Sequence, residues 1–182
     1  MMSFAVIDTE TTWFDKIMSI GIVIADEDTF EAMEERYYII SPAYLEGGMY
    51  SSVLFLRDGI VCSYREAISD IRHTLLQNEV TSIFAYNAKF DYGHLPELQC
   101  FDWFDIIQRA AYRQYNDAIP PNAECFGTGR LKRGYGVECI LRLLSENYAY
   151  RETHNALQDT LDELTIMKLL GYHPSYYKKL TG

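Results

Sequence analysis

The sequence is short of positive charge. Sixteen lysines and arginines stand against 26 aspartates and glutamates, a formal charge of −10. This excludes a broad, tight, nonspecific grip on duplex nucleic acid, which needs a basic face. Long hydrophobic runs are also missing. No apolar stretch approaches the roughly 20 residues that span a bilayer, so no membrane partner is expected. A basic leader is missing as well. The N-terminus, Met1-Met2-Ser3-Phe4-Ala5-Val6-Ile7-Asp8, meets an acid almost at once. It does not read as a secretory signal, and a cytoplasmic location is expected. The four cysteines, Cys62, Cys100, Cys125 and Cys139, form no C-x-x-C pair. That argues for free thiols in a reducing compartment and against a zinc site. Repeats, low-complexity tracts and charged tails are absent too. What is there is 182 residues at 48% hydrophobic and 23% charged. These values suit one globular domain spanning 1–182, long enough to bury a core.

Periodicity places the elements. Phe4 to Ile7 is short and continuously apolar, the mark of a strand buried on both faces. Ile17 to Ala25 and Arg36 to Ile40 read as the next strands, joined by the acidic stretch 26–35. Ser41 to Gly59 holds Pro42, Gly47 and Gly48 and reads as a loop. Tyr64 to Gln77 spaces Ile68, Ile71, Leu75 and Leu76 as a helix does. Thr81 to Tyr86 is a second buried strand, with a short helix predicted over 88–98 and weakened by Pro96. Trp103 to Asp105 reads as a last strand leading into a helix through Tyr115. Residues 116–136 hold Pro120, Pro121 and four glycines, which predicts a flexible loop. Val137 to Leu144 and Ala156 to Leu170 read as helices, the second ended by Gly171. Three consecutive strands followed by alternating helices and strands give an α/β domain with a mixed sheet.

Three acidic signatures occur in fixed order. Asp8-Thr9-Glu10 follows the first apolar run, Asn87-Ala88-Lys89-Phe90-Asp91 follows the second, and His154 precedes Asp159 near the end. Strand period two puts Asp8 and Glu10 on one face. Two like charges about 4 Å apart repel by about 4 kcal/mol at an effective dielectric of 20. A divalent cation is the natural compensation, and hard oxygen donors suit Mg²⁺ or Mn²⁺. Alone, such a pair is more often a strand end meeting solvent.

Asp91 sits one helical turn after Asn87, which fits a helix N-cap. Phe90 is either core, slightly favoured, or a base contact. Asn155 and Gln158 resemble a capping box that starts a helix at Ala156. Asp159 then lies in the first turn, where the helix dipole favours its ionised form. His154 stays in the preceding loop, free to titrate near neutrality and to take a proton from an activated water. His73, His94 and His173 read as surface histidines, and Asp162 and Glu163 as a solvated helix face. Four carboxylates and one imidazole suit a two-metal phosphodiester hydrolase. Lys89, Arg130, Lys132 and Arg133 are candidate cations for one strand end.

The stretches Phe4–Thr12, Ala85–Asp91 and His154–Asp159 resemble, in order and spacing, the three motifs of the DEDDh exonucleases. This is the family of the proofreading epsilon subunit of bacterial DNA polymerase III and of ribonuclease T. The resemblance implies an RNase H-like fold, with a mixed five-stranded sheet flanked by helices. It implies 3′→5′ exonuclease activity on a nucleic-acid 3′ end, releasing nucleoside 5′-monophosphates. Asp8, Glu10 and Asp159 would hold two Mg²⁺ or Mn²⁺ ions directly. Asp91 would hold the second ion largely through water, and His154 would be the general base. Thr11 lies where the family's chain nears the terminal nucleotide. With Asn87, Phe90 and His154 it completes the substrate-binding candidates. The spacing of His154 and Asp159 marks the histidine branch, since Asn155 stands where the other branch has tyrosine.

Three features depart from the pattern. Trp13 replaces a frequent glycine and either stacks on a base or packs. Asp58-Gly59-Ile60 replaces a His-Gly-Ile segment of the proofreading members, and 116–136 is unlike the family. Single-stranded DNA is the expected substrate. RNA, and a catalytically silent nucleic-acid or polymerase-binding module, are the alternatives. A polymerase partner or a homodimer is compatible with the tyrosine-rich stretch Tyr172, Tyr176 and Tyr177, although C-terminal packing explains it as well.

Overall fold

The computed structural model describes residues 2–180. Strands β1 (Ser3–Thr11), β2 (Ile17–Asp26) and β3 (Ala32–Ile40) form an antiparallel meander. Strands β4 (Ile60–Cys62), β5 (Ser82–Ala85) and β6 (Asp102–Asp105) join it in parallel, β4 on β3, β5 on β1 and β6 on β5. The order is β4-β3-β2-β1-β5-β6. The sheet therefore has six strands where the sequence predicts five. The addition, β4, is a three-residue edge whose Ile60 and Val61 stay exposed, so no burial pattern announces it.

Both faces of the sheet are covered, which is why its central strands are apolar without alternation. Ala5 and Ile7 pack with Ile22, Ile83 and the Ile68, Ile71 and Leu75 stripe of helix α1 (Tyr64–Gln77). Helix α1 has its predicted limits because Ser63 and Glu66 close a reciprocal capping box ahead of that stripe. Phe4 and Val6 pack on the other side with α4 (Val137–Ser145) and α5 (Ala156–Leu170), through Ile140, Leu157, Leu164 and Met167. Helix α5 starts where Asn155 accepts the Gln158 amide and stops at Gly171, whose left-handed φ of 68° suits a residue without a Cβ. Gln158 turns its own side chain to Asp162 rather than back to Asn155, so only half of the capping box forms.

Other boundaries move for tertiary reasons. Strand β3 begins four residues early. Asp26 accepts the Thr29 amide and hydroxyl and closes a tight turn, and the exposed start of the strand carries no apolar signal. After β5, α2 (Lys89–His94) is followed by a single 3₁₀ turn at Pro96–Leu98. The helix after β6, α3 (Ile107–Ala110), stops well short of Tyr115. There the chain instead pairs with the 129–131 segment, through Arg113 to Gly129 and Leu131 to Ala111. The 116–136 segment is irregular but anchored. Ile119 and Leu131 sit in the α5-side core, and Asn116 donates to the Ala110 carbonyl at 2.7 Å.

One glycine sets how closely α5 approaches the sheet. Gly21 is the cross-strand partner of Asp8. A Cβ at Gly21 would lie 2.2 Å from the Ala156 carbonyl oxygen and 2.5 Å from the Leu157 nitrogen. The first turn of α5 thus lies directly on β2, beside the acidic end of β1. Gly21→Ala must push that backbone away, since no flexible side chain can yield. Overpacking of this kind costs about 3 kcal/mol at its upper range. The expected result is a melting temperature lower by roughly 6–12 °C. An unchanged melting temperature would refute the close contact.

Candidate active site

Strand β1 carries its apolar pattern straight into the acids. Phe4 and Val6 face α5, so Asp8 and Glu10, two and four residues on, face the same helix. Helix α5 answers with Asp159 in its first turn. His154 lies just before the cap in a left-handed conformation, φ 55°. Ligand atoms of Glu10, His154 and Asp159 lie within 4.8 Å of one another. Asp91 arrives from α2 and accepts the Thr9 hydroxyl at 2.8 Å. The tertiary structure thus brings Glu10, His154 and Asp159 together, with Asp8 on the same strand as Glu10 and Asp91 delivered beside that strand by α2.

The electrostatics are those of an uncompensated acidic centre. Burial, then the charges of Asp91, Glu163, Asp159 and Glu10, hold the Asp8 carboxyl well above the usual range. Glu10 is pushed up to about 8 by burial and by Glu152 and Asp91. Asp159 is pushed up to about 8 by burial and by Glu152, Glu10 and Asp162. Asp91 rises to about 7 through burial, against the pull of its Thr9 hydrogen bond. The helix dipole that favours the ionised form of Asp159 is opposed here by burial and by neighbouring acids. A dipole supplies about 0.3–1 kcal/mol at an exposed site, and burial among like charges outweighs it.

These donors fit divalent cations. Asp8 Oδ2 and Asp159 Oδ1 are sealed from solvent with no hydrogen-bond partner. Among the described residues no lysine or arginine forms an ion pair with Asp8, Glu10, Asp91 or Asp159. Buried carboxylate oxygens without protein partners are the hard donors that Mg²⁺ and Mn²⁺ select.

The same acids set a pH dependence. A carboxyl whose pKa is higher folded than unfolded binds its proton more tightly in the folded state. Its penalty is absent below the unfolded pKa near 4 and grows as pH rises toward 8. In chelator, therefore, the melting temperature should rise as pH falls from about 8 to about 5. Mg²⁺ should raise it most at pH 8, where it competes with the fewest protons. Calorimetric scans at three pH values, with and without Mg²⁺, measure both. A melting temperature independent of pH and of metal would contradict the acidic centre.

Several roles differ from the sequence reading. Asn87 is not a helix N-cap. It takes a left-handed φ of 63° in the turn before α2, and its amide donates to Asp105 at 3.0 Å. Phe90 is not core, being 40% exposed, and Trp13 is 66% exposed rather than packed. Both line a depression of about 320 Å³ with Glu10, Thr11, Thr12, Met49 and Tyr50. His154 is not free in its loop, for its ring stacks on Tyr50 at 4.1 Å between centroids. Asp162 and Glu163 do not form a solvated face, being 6% and 2% exposed. Asp162 accepts from Tyr150 and Gln158, and Glu163 accepts the Tyr86 amide at 3.1 Å. Glu152 lies 3.9 Å from His154 Nδ1, and no sequence signature marks it. Lone acids outside a repeating pattern carry no signal of what covers them. Of the candidate cations, Arg130 lies over the Tyr135 ring at 4.5 Å and Lys132 over Phe126 at 5.9 Å. The four cysteines are free thiols, and among the described residues no helix is long and apolar enough to cross a membrane.

No protein-family model matches the chain, and no curated protein is significantly similar to it in sequence. Solved structures do match. The nuclease domain of 3′hExo, a DEDDh family member bound to rAMP, superposes with a TM-score of 0.67 at 12% identity. The match covers 98% of this chain and 96% of that one. Exonuclease I of Methylocaldum szegediense matches with a TM-score of 0.61 at 16% identity, over 97% of this chain and 42% of that one. E. coli Exonuclease I in complex with a dT13 oligonucleotide matches with a TM-score of 0.59 at 16% identity, over 96% and 42%. The chain thus spans about two fifths of the Exonuclease I enzymes and nearly all of the 3′hExo domain. With its six-stranded mixed sheet flanked by helices, the protein has the RNase H-like fold of DEDDh 3′-exonuclease domains.

Proposed function

We propose that the protein is a metal-dependent 3′→5′ exonuclease of the DEDDh type, acting on single-stranded nucleic acid. One observation carries this reading. Glu10, His154 and Asp159 converge within 4.8 Å at the acidic end of β1, where carboxylate oxygens are buried without partners. Asp8, Glu10, Asp91 and Asp159 would hold two Mg²⁺ or Mn²⁺ ions. When bound, such ions neutralise phosphate charge and act as Lewis acids.

The protein's own groups do the rest. His154 accepts the proton of the attacking water, with its ring plane set by the Tyr50 stack and Glu152 beside Nδ1. Water oxygen bonds to the terminal phosphorus, the bond from phosphorus to the penultimate 3′-oxygen breaks, that oxygen takes a proton from solvent, and a nucleoside 5′-monophosphate leaves. The exposed rings of Trp13 and Phe90, beside Thr11 and Glu10, offer an unpaired base apolar faces for stacking. Asn87 fixes the turn that carries Asp91. The wide deficit of basic charge suits engagement of one strand end rather than of a duplex face.

The test is a gel-resolved time course on 5′-labelled single-stranded DNA and matched RNA. A ladder shortening from the 3′ end with Mg²⁺ or Mn²⁺, and abolished by chelator, is expected. The faster substrate names the sugar. Intact strands under both metals would sink the proposal.

A further inference from the structure

We propose that Glu163 and Asp105 clamp the Tyr86–Asn87 turn from two sides and are positioning residues for Asp91. The inference rests on the reading that Asp91 holds a metal ion. Strand β5 ends at Ala85, so the next amides have left the sheet ladder. Glu163 reaches across from α5 and accepts the Tyr86 amide at 3.1 Å. Asp105, at the end of β6, accepts the Asn87 amide at 3.0 Å and the Ile107 amide through the same oxygen at 3.0 Å. Between these anchors Asn87 holds its left-handed φ, a conformation that asparagine visits more readily than most residues other than glycine. The Asn87 carbonyl then accepts the Phe90 amide at 3.0 Å, and α2 begins. Asp91 follows one residue later, fixed by Thr9.

The register explains why this turn matters. Val6 pairs with Phe84 in the parallel β1–β5 ladder, so the acids of β1 and the turn after β5 leave the sheet at the same end. An amide held at Tyr86 therefore sets the distance between the β1 acids and the α2 acid. Glu163 is also one helical turn beyond Asp159 on α5. One helix thus carries an acid of the proposed metal site and, one turn on, the support for another. Neither Glu163 nor Asp105 belongs to the three sequence signatures. Both carboxylates are buried, and each accepts a main-chain amide of the turn.

The measurement is Mn²⁺ affinity by electron paramagnetic resonance titration, with turnover alongside, on the intact chain. Wild type is compared with Glu163→Ala, Glu163→Gln, Asp105→Ala and Asp105→Asn. Groups that orient a ligand typically change metal affinity 10–100-fold when removed. The alanine variants should lose at least tenfold in Mn²⁺ affinity. The amide variants, which keep an acceptor oxygen, should stay within about twofold of wild type on the same principle. A merely structural role would lower the melting temperature without moving Mn²⁺ affinity, and that result overturns the clamp. Glutamine as damaging as alanine at position 163 also overturns it, because charge rather than the hydrogen bond would then matter. If Glu163→Ala does not fold, the Asp105 pair decides in the same way. Wild type that binds no Mn²⁺ overturns the metal reading itself, and this is seen before any variant is compared.

Discussion

Replacing Asp8 by asparagine is expected to lower exonuclease turnover by at least about a thousandfold. In chelator the same change should raise the melting temperature. Metal ions supply several kcal/mol of transition-state charge stabilisation, and each 1.36 kcal/mol is a factor of ten in rate. Loss of about 4 kcal/mol therefore gives about three orders of magnitude. The stability change has the opposite sign. Asp8 sits among Asp91, Glu163, Asp159 and Glu10, with its Oδ2 sealed from water and unpartnered. Asparagine keeps the shape and removes one of the crowded acids. At pH 8 in chelator a gain of several degrees is expected, at roughly 2–4 °C per kcal/mol for a chain of this size. Low turnover combined with a lower melting temperature would mean that Asp8 is a structural residue, not a ligand under strain.

His154→Ala is the second large effect. A positioned general base contributes about 10²–10⁴-fold, so turnover should fall by at least a hundredfold. Mn²⁺ affinity should stay within a few-fold of wild type. His154 lies close enough to Glu10 and Asp159 to share an ion with them, so affinity is the deciding readout. A Mn²⁺ affinity that collapses together with turnover would make His154 a ligand instead. Tyr50→Ala offers a finer comparison. Losing the stack on the imidazole should reduce turnover less than losing the imidazole.

The chain writes some of this plainly and some of it not at all. Helices α1 and α5 were legible because an apolar stripe, a side-chain cap and, for α5, a terminal glycine are all local signals. Asp8, Glu10, Asp91, His154 and Asp159 stood out as candidates because two of them close an apolar strand, two lie in the first turn of a helix and His154 sits just ahead of a capped helix start. Strand β4, the early start of β3 and the short α3 were not legible. Their limits come from partners far along the chain, such as the 129–131 segment that captures residues after α3.

The sequence by itself determined the α/β class, the central strands, the two long helices and the five acid and imidazole candidates. Only the tertiary structure decided that Glu163 is buried and holds the Tyr86 amide, and that His154 rests on Tyr50. It alone decided that Phe90 and Trp13 face outward, and that Gly21 lets α5 settle onto β2. The reason is the range of the forces. Periodicity records which side of one element meets the core. The environment of a single polar residue depends on what another element lays over it, and no spacing along the chain encodes that.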